Sequence, residues 1–153
     1  MTNRKKRILI VDDDSAILKS VGDYLSIKGY NVETAKTGKE AIEKTRKSFF
    51  NVAILDIKLP DIDGTDLLIK MEETEPRMTK IMLTGYPSMA NAVESLNKKA
   101  DAYLIKPVEP EKLLKLIRQK LDEQTKELKM DQDKLIDYMN SRDREHDQKR
   151  AEC

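Results

Sequence analysis

At 153 residues, with 29 Lys and Arg against 28 Asp and Glu, the chain carries a net charge of +1, so no overall basic field marks it as a nucleic-acid binder. A single cysteine, Cys153, excludes a disulfide framework and a zinc site and fits a reducing, cytoplasmic setting. No stretch approaches the roughly 20 apolar residues that span a bilayer, and the apolar run 8–11 is too short for a signal peptide, so no membrane association is expected.

In chain order, Ile8, Leu9, Ile10 and Val11 form an unbroken apolar run, the pattern of a strand buried on both faces of a parallel sheet. The run leads straight into Asp12, Asp13, Asp14 and Ser15. Asp14 or Ser15 can cap the helix that follows, whose Ile17, Leu18, Val21 and Leu25 recur at helical spacing up to Gly29. Residues 31–35 read as a weaker strand, and 39–47 as a short helix carrying Ala41 and Ile42 inward. Val52, Ala53, Ile54 and Leu55 make a third strand that ends on Asp56, and Pro60 and Gly64 turn the next segment into a loop. A helix is predicted over 65–73, with Leu67, Leu68 and Met71 inward. Ile81, Met82 and Leu83 form a strand closing on Thr84-Gly85, 89–96 a short helix, and 102–105 a strand closed by Lys106-Pro107. From Glu109 onward nothing breaks a helix for a long way.

Strand and helix alternate five times, which predicts an α/β fold: a flavodoxin-like five-stranded parallel sheet in the order 2-1-3-4-5, helices on both faces, and a C-terminal helical extension. Ligands in such sheets sit at the carboxyl ends of the strands, by the switch point between strands one and three. Both of those strands end in acids. Asp56 lies too far before the helix starting near Thr65 to serve as its cap. Three carboxylates in one crevice repel each other unless a cation joins them, and Mg²⁺ is the natural occupant, since it takes carboxylate and carbonyl oxygens. A carboxylate beside it can attack phosphorus and form an acyl phosphate. The anionic phosphoryl group also needs a fixed cation and a hydroxyl donor, which Lys106 and Thr84 would supply from neighbouring strand ends.

The segments I-L-I-V-D-D-D, V-A-I-L-D-I-K-L-P-D-I-D-G, I-M-L-T-G-Y and A-Y-L-I-K-P resemble a response-regulator receiver domain of two-component signalling, over residues 5–122. The resemblance implies a phosphoacceptor, not an enzyme, that assists its own phosphorylation and dephosphorylation. Asp56 would accept a phosphoryl group from a histidine kinase. Asp13 would bind Mg²⁺ directly, Asp12 through water, and Lys58 through its backbone carbonyl. Thr84 and Lys106 would hold phosphoryl oxygens, Tyr103 would swing inward when Thr84 is recruited, and the Lys106-Pro107 bond would be cis. Lys58 and Tyr86 would flank the approach of the hydrolytic water; both are long and neither is suited to orient it, so slow hydrolysis is expected. The run T-G-Y-P-S is similar to receivers of the nitrogen-response type. Two outputs fit: a switch whose altered surface on helix four, strand five and helix five docks on a downstream protein, or a relay passing the phosphoryl group to a histidine phosphotransfer protein. One position departs from the family, which usually has Gly where Lys99 stands; a left-handed helix end there is costly for Lys.

The run D-I-D-G-T at 61–65 matches the nucleophile motif of haloacid-dehalogenase-type phosphatases, with Asp61 and Asp63 as the acids. That chemistry needs its first Asp at the end of a buried strand, and the buried run has already ended at Asp56. The match reads as coincidence, with Asp63-Gly64 shaping the loop. His146 and Cys153 read as ordinary exposed residues. Residues 123–153 form a charged helical extension, expected to fray after Arg142. Leu114, Leu121, Leu128 and Leu135 recur every seven residues, yet Leu114, Ile117 and Leu121 are needed to pack helix five on the sheet. What remains falls short of about 3–4 heptads: Leu128, Leu135, Tyr138 and Met139, with Gln124 and Asp131 in the companion seam. A short coiled coil, a solvated extension and a partner-docking helix all fit. No output module is read after the receiver, so direct nucleic-acid binding is not expected. The extension is expected to strengthen a phosphorylation-dependent homodimer rather than create a constitutive one. Sedimentation of the full chain and of a version ending at Gln124, each with and without beryllofluoride, checks this; equal dimerisation of the two activated forms would remove the extension from the mechanism.

Overall fold

The computed structural model describes residues 5–71, 77–85 and 87–151, with side chains described as far as Arg142. The sheet is formed by β1 (Arg7–Val11), β2 (Asn31–Ala35), β3 (Val52–Leu55), β4 (Thr79–Thr84) and β5 (Ala102–Ile105). All pairings are parallel and the order is β2-β1-β3-β4-β5, as the alternating pattern predicts. The helices are α1 (Ser15–Ile27), α2 (Gly38–Lys47), α3 (Gly64–Lys70), α4 (Met89–Asn97) and α5 (Pro110–Ala151). The chain divides into two compact units, 1–121 and 122–153.

The unbroken apolar runs have a simple cause. Side chains along a strand alternate between the two faces, and here both faces are covered. Leu9 and Val11 of β1 join Ala53 and Leu55 of β3 in one cluster with Ala41 of α2 and Leu67 and Leu68 of α3. Ile8, Ile10, Val52 and Ile54 point the other way, into a second cluster with Leu18 and Leu25 of α1 and Leu113, Leu114, Ile117 and Leu121 of α5. Each of these buried Val, Leu and Ile side chains contributes about 1.5–3 kcal/mol. Removing either layer of helices would therefore expose half of every central strand.

Three boundaries differ from the sequence reading. β4 begins at Thr79, not Ile81, because the polar Thr79 and Lys80 are both buried. The Lys80 side chain extends to α3 and donates from Nζ to the Leu68 carbonyl at 3.2 Å, so the ammonium satisfies an oxygen at the helix C-terminus. α3 ends at Lys70, with Met71 extended (φ −73°, ψ 121°), short of the expected residue 73. α5 continues as helix to Ala151 through the stretch expected to fray. Within residues 122–142, Lys126 pairs with Asp122 at 3.1 Å, and Leu135, Ile136, Tyr138 and Met139 are exposed.

Lys99 does adopt the left-handed conformation, at φ 72°. The Lys99 amide donates to Leu96 O at 3.2 Å and the Ala100 amide to Ser95 O at 2.8 Å, a paired closure of α4 of the kind that glycine usually makes. A left-handed L-residue costs roughly 1–2 kcal/mol, partly offset because a lysine backbone has less freedom to lose on folding than a glycine. Lys99→Gly is therefore expected to raise the stability of the protein by up to about 1 kcal/mol, read as a higher urea midpoint with an unchanged slope.

Candidate functional site

Asp12 and Asp56 continue β1 and β3 by one residue, and the strand register that sets Val11 beside Leu55 brings the two acids together. The Asp56 amide donates to Val11 O at 3.0 Å, fixing the acceptor's backbone to the neighbouring strand. Both acids are buried and Asp13 is exposed. One carboxylate oxygen from each of the three can lie within 4.8 Å of the others. Lys106, one residue beyond β5, closes the group: its Nζ donates to Asp12 Oδ2 at 2.5 Å and to Asp56 Oδ2 at 3.1 Å. Its own amide donates to Thr84 O at 2.8 Å, and the Lys106–Pro107 bond is cis, as the resemblance implies.

The electrostatics follow from burial. Desolvation is the largest influence on Asp12 and pushes its carboxyl above the ordinary value; the Lys106 ammonium and the Asp14 amide pull it back, and the Asp56 charge adds to the rise. For Lys106, burial pulls downward, but the hydrogen bonds to Asp12 and Asp56 outweigh it and leave the ammonium above its ordinary value. A site in which a buried carboxylate resists ionisation beside two others has unmet demand for positive charge. The donor set is all oxygen, which suits a hard divalent ion. Asp12, Asp13 and Asp56 together form an acidic pocket able to hold one.

The loop after β3 is folded back onto the acceptor. Gly64 donates its amide to Ile57 O at 2.6 Å, and a Cβ on Gly64 would lie 2.1 Å from the Asp56 carbonyl oxygen, so only glycine fits. Lys58 and Asp63 form an antiparallel bridge across the same loop, and Lys58 is exposed, with its amide 3.4 Å from Asp56 Oδ1. Asp61 is turned elsewhere. Its carboxylate accepts from the Gly38 amide at 2.8 Å and the Lys39 amide at 2.9 Å, capping α2 from 23 residues away. A Cβ on Gly38 would come within 2.2 Å of the Ile62 Cγ2 methyl, so a larger residue there would have to displace that side chain. Asp61 is thus a structural cap, which removes it as a strand-end nucleophile; Asp63 lies at the N-terminus of α3 and makes no side-chain cap bond. No local sequence signal announces the Asp61 contact.

Of the other candidate residues, Thr84 is fully buried at the end of β4. Tyr103 packs against the cluster shared with α2 and α3, and its hydroxyl is buried without a hydrogen-bond partner among the described residues. Asp14, not Ser15, caps α1, accepting from the Ala16 amide at 2.9 Å while its own amide donates to Asp12 Oδ1 at 2.9 Å. Tyr86, His146 and Cys153 fall outside the described side chains.

The family model described as the response regulator receiver domain matches residues 8–118. This chain belongs to that family. The receiver is 38% identical over 112 residues to the transcriptional regulatory protein TrcR of Mycobacterium tuberculosis, covering 73% of this chain and 44% of that one. It is 30% identical over 123 residues to GlrR of Escherichia coli, covering 80% and 28%. It therefore spans less than half the length of either relative. Among solved structures, a CheY-like receiver domain protein from Methanospirillum hungatei superposes with a TM-score of 0.78 at 56% identity, covering 81% of this receiver and 99% of that chain. The beryllofluoride-activated NtrC4 receiver domain dimer matches with a TM-score of 0.72 at 36% identity, covering 77% and 98%.

The Asp61 cap gives a pH-dependent prediction. The Gly38 and Lys39 amides hold its carboxyl below the ordinary value of 3.8. A carboxylate lowered on folding stabilises fully above the unfolded value and loses that contribution as pH falls through the folded one. Asp61→Asn is expected to lower the urea midpoint at pH 7, and the gap from the unsubstituted protein should close as pH drops through that range. A gap independent of pH would show that shape, not charge, makes the cap.

Proposed function

We propose that this receiver takes a phosphoryl group from a histidine kinase onto Asp56 and that the modified domain presents a changed protein-binding surface. The observation that carries the reading is the buried Asp12–Lys106–Asp56 contact at the carboxyl ends of three strands, with Asp13 completing the oxygen cluster. Asp13, Asp12, Asp56 and the Lys58 carbonyl would hold Mg²⁺, which when bound supplies positive charge for the phosphoryl oxygens. The Asp56 oxygen forms its bond to phosphorus as the donor's bond to phosphorus breaks and the leaving group keeps the electron pair. Lys106, already held above its ordinary pKa, stays protonated and stabilises the developing charge. Thr84 then offers its hydroxyl to a phosphoryl oxygen, and Tyr103 follows on β5.

The output reading rests on α4 and the edge strand β5, which pack together. Met89, Val93 and Leu96 of α4 and Ile105 of β5 are exposed apolar side chains close in the fold, on a face where a second copy or a target can bury them. A relative activated with beryllofluoride is a dimer, which supports a phosphorylation-dependent homodimer as one form of this output. The receiver is taken to be one switch among proteins of the cytoplasm, and residues 123–153 to be a separate helical extension of the receiver at 5–122. Among the described residues no helix is long and apolar enough to cross a membrane.

With Mg²⁺ and acetyl phosphate, the protein is expected to gain the mass of one phosphoryl group, and Asp56→Asn to gain none. An unchanged gain in Asp56→Asn, by intact mass spectrometry, would sink the assignment. Asp13→Asn is expected mainly to weaken Mg²⁺ binding, since it removes a charged oxygen and leaves the Lys106 contacts in place.

A further inference from the structure

The consecutive acids Asp12, Asp13 and Asp14 sit in three different environments. Asp12 is buried, whereas Asp13 and Asp14 face solvent. The Asp12 amide donates to Ala35 O at 3.0 Å, which fixes its backbone to β2. Its carboxylate is held at both oxygens: Oδ1 accepts the Asp14 amide at 2.9 Å and Oδ2 accepts the Lys106 ammonium at 2.5 Å. Asp14 repeats the closure one step on, its Oδ1 accepting the Ala16 amide at 2.9 Å from an extended backbone (φ −82°, ψ 107°). Each is the local bond, from a side-chain oxygen to the amide two residues on, by which aspartate shapes a turn. The second is also the N-cap of α1. Asp13 is carried between the two closures, so the backbone of 12–14 sets where its carboxylate points. That carboxylate can lie within 4.8 Å of those of Asp12 and Asp56.

We propose that Asp14 is a positioning residue for the divalent ion: by capping α1, its carboxylate keeps the 12–14 turn closed, its amide on Asp12 and Asp13 aimed at the acidic pocket. A group held in its bound geometry beforehand has less freedom to lose on binding. Residues that orient metal ligands without touching the metal therefore set affinity. What the position requires is an oxygen on a short side chain, and the negative charge of Asp14 is incidental to it. This rests on the receiver reading above, in which Asp12 and Asp13 hold Mg²⁺, and adds to it a residue that touches neither metal nor phosphate.

The test titrates magnesium chloride into the full chain and into Asp14→Ala, Asp14→Ser and Asp14→Glu, reading the dissociation constant from amide shifts in NMR spectra. Serine caps a helix without charge, and glutamate keeps the charge but is not among the preferred caps. Asp14→Ala and Asp14→Glu are expected to weaken Mg²⁺ binding by about 10-fold, the scale on which residues that orient metal ligands act. Asp14→Ser is expected to stay close to the natural protein. Thr37→Ala removes a cap of α2, where the Thr37 hydroxyl accepts the Glu40 amide at 3.1 Å. It should lower the urea midpoint and leave Mg²⁺ affinity unchanged. Weakening by Asp14→Ser as large as by Asp14→Ala, with Asp14→Glu like the natural protein, means that charge acts rather than the cap and overturns the proposal. So does an affinity that Asp14→Ala leaves unaltered, or an equal loss in Thr37→Ala, which would trace the effect to stability alone. All of these leave the phosphoacceptor reading standing, whereas a natural protein that binds no Mg²⁺ would overturn both.

Discussion

Everything at the carboxyl end of this sheet depends on one ammonium group. Asp12 and Asp56 are buried side by side, and two such charges would destabilise the fold if left alone. Lys106 reaches both, at 2.5 and 3.1 Å, from a third strand. Its position is fixed in turn by its amide on Thr84 O, which ties β5 to β4 at the same level. The acids, the cation and the hydroxyl residue are thus placed by backbone pairing and only secondarily by their own contacts. The chemistry of the site inherits the rigidity of the sheet.

Around that point the two sides of the site are built differently. Gly64 presses against the backbone of Asp56, and Asp61 fastens the same loop to the first amides of α2. The α4–β5 side has a helix closed by a left-handed lysine and two buried hydroxyls without partners. The loop after β3 is therefore tied to α2 by more direct contacts than those described between α4 and β5. Lys98 offers only a light restraint there, through exposed pairs with Asp66 at 3.0 Å and Glu94 at 2.8 Å.

Most of the sheet was legible in the sequence because β1 and β3 are buried on both faces and therefore apolar without interruption. The order of strands and the gathering of Asp12, Asp13, Asp56 and Lys106 follow from the alternation of elements and the place where such sheets bind ligands. The beginning of β4 was hidden because Thr79 and Lys80 are polar, and a tertiary contact such as that from Lys80 to Leu68 O, which helps make a buried lysine tolerable, leaves no mark in the local sequence. α3 was read too long for a related reason: hydrophobic spacing continues to Met71, but the backbone has already turned extended there. Asp61 looked like half of a catalytic motif, and its use as a distant cap could not be read from neighbours in sequence. The strain at Lys99 was legible, since a lysine stands where closure of a helix favours glycine.

The alternation of β3 between the two clusters also governs which changes of length this gene product can survive. A residue inserted among Val52, Ala53, Ile54 and Leu55 would exchange the side chains assigned to the α1–α5 layer with those assigned to the α2–α3 layer. It would also carry Asp56 forward by about 3.3 Å. That displacement is as large as the whole 3.1 Å separation between Asp56 and Lys106, so the carboxylate would leave its partner even if the strand managed to repack. Insertions and deletions should accordingly be absent from this strand in any surviving lineage, while single substitutions among its apolar residues remain open to drift.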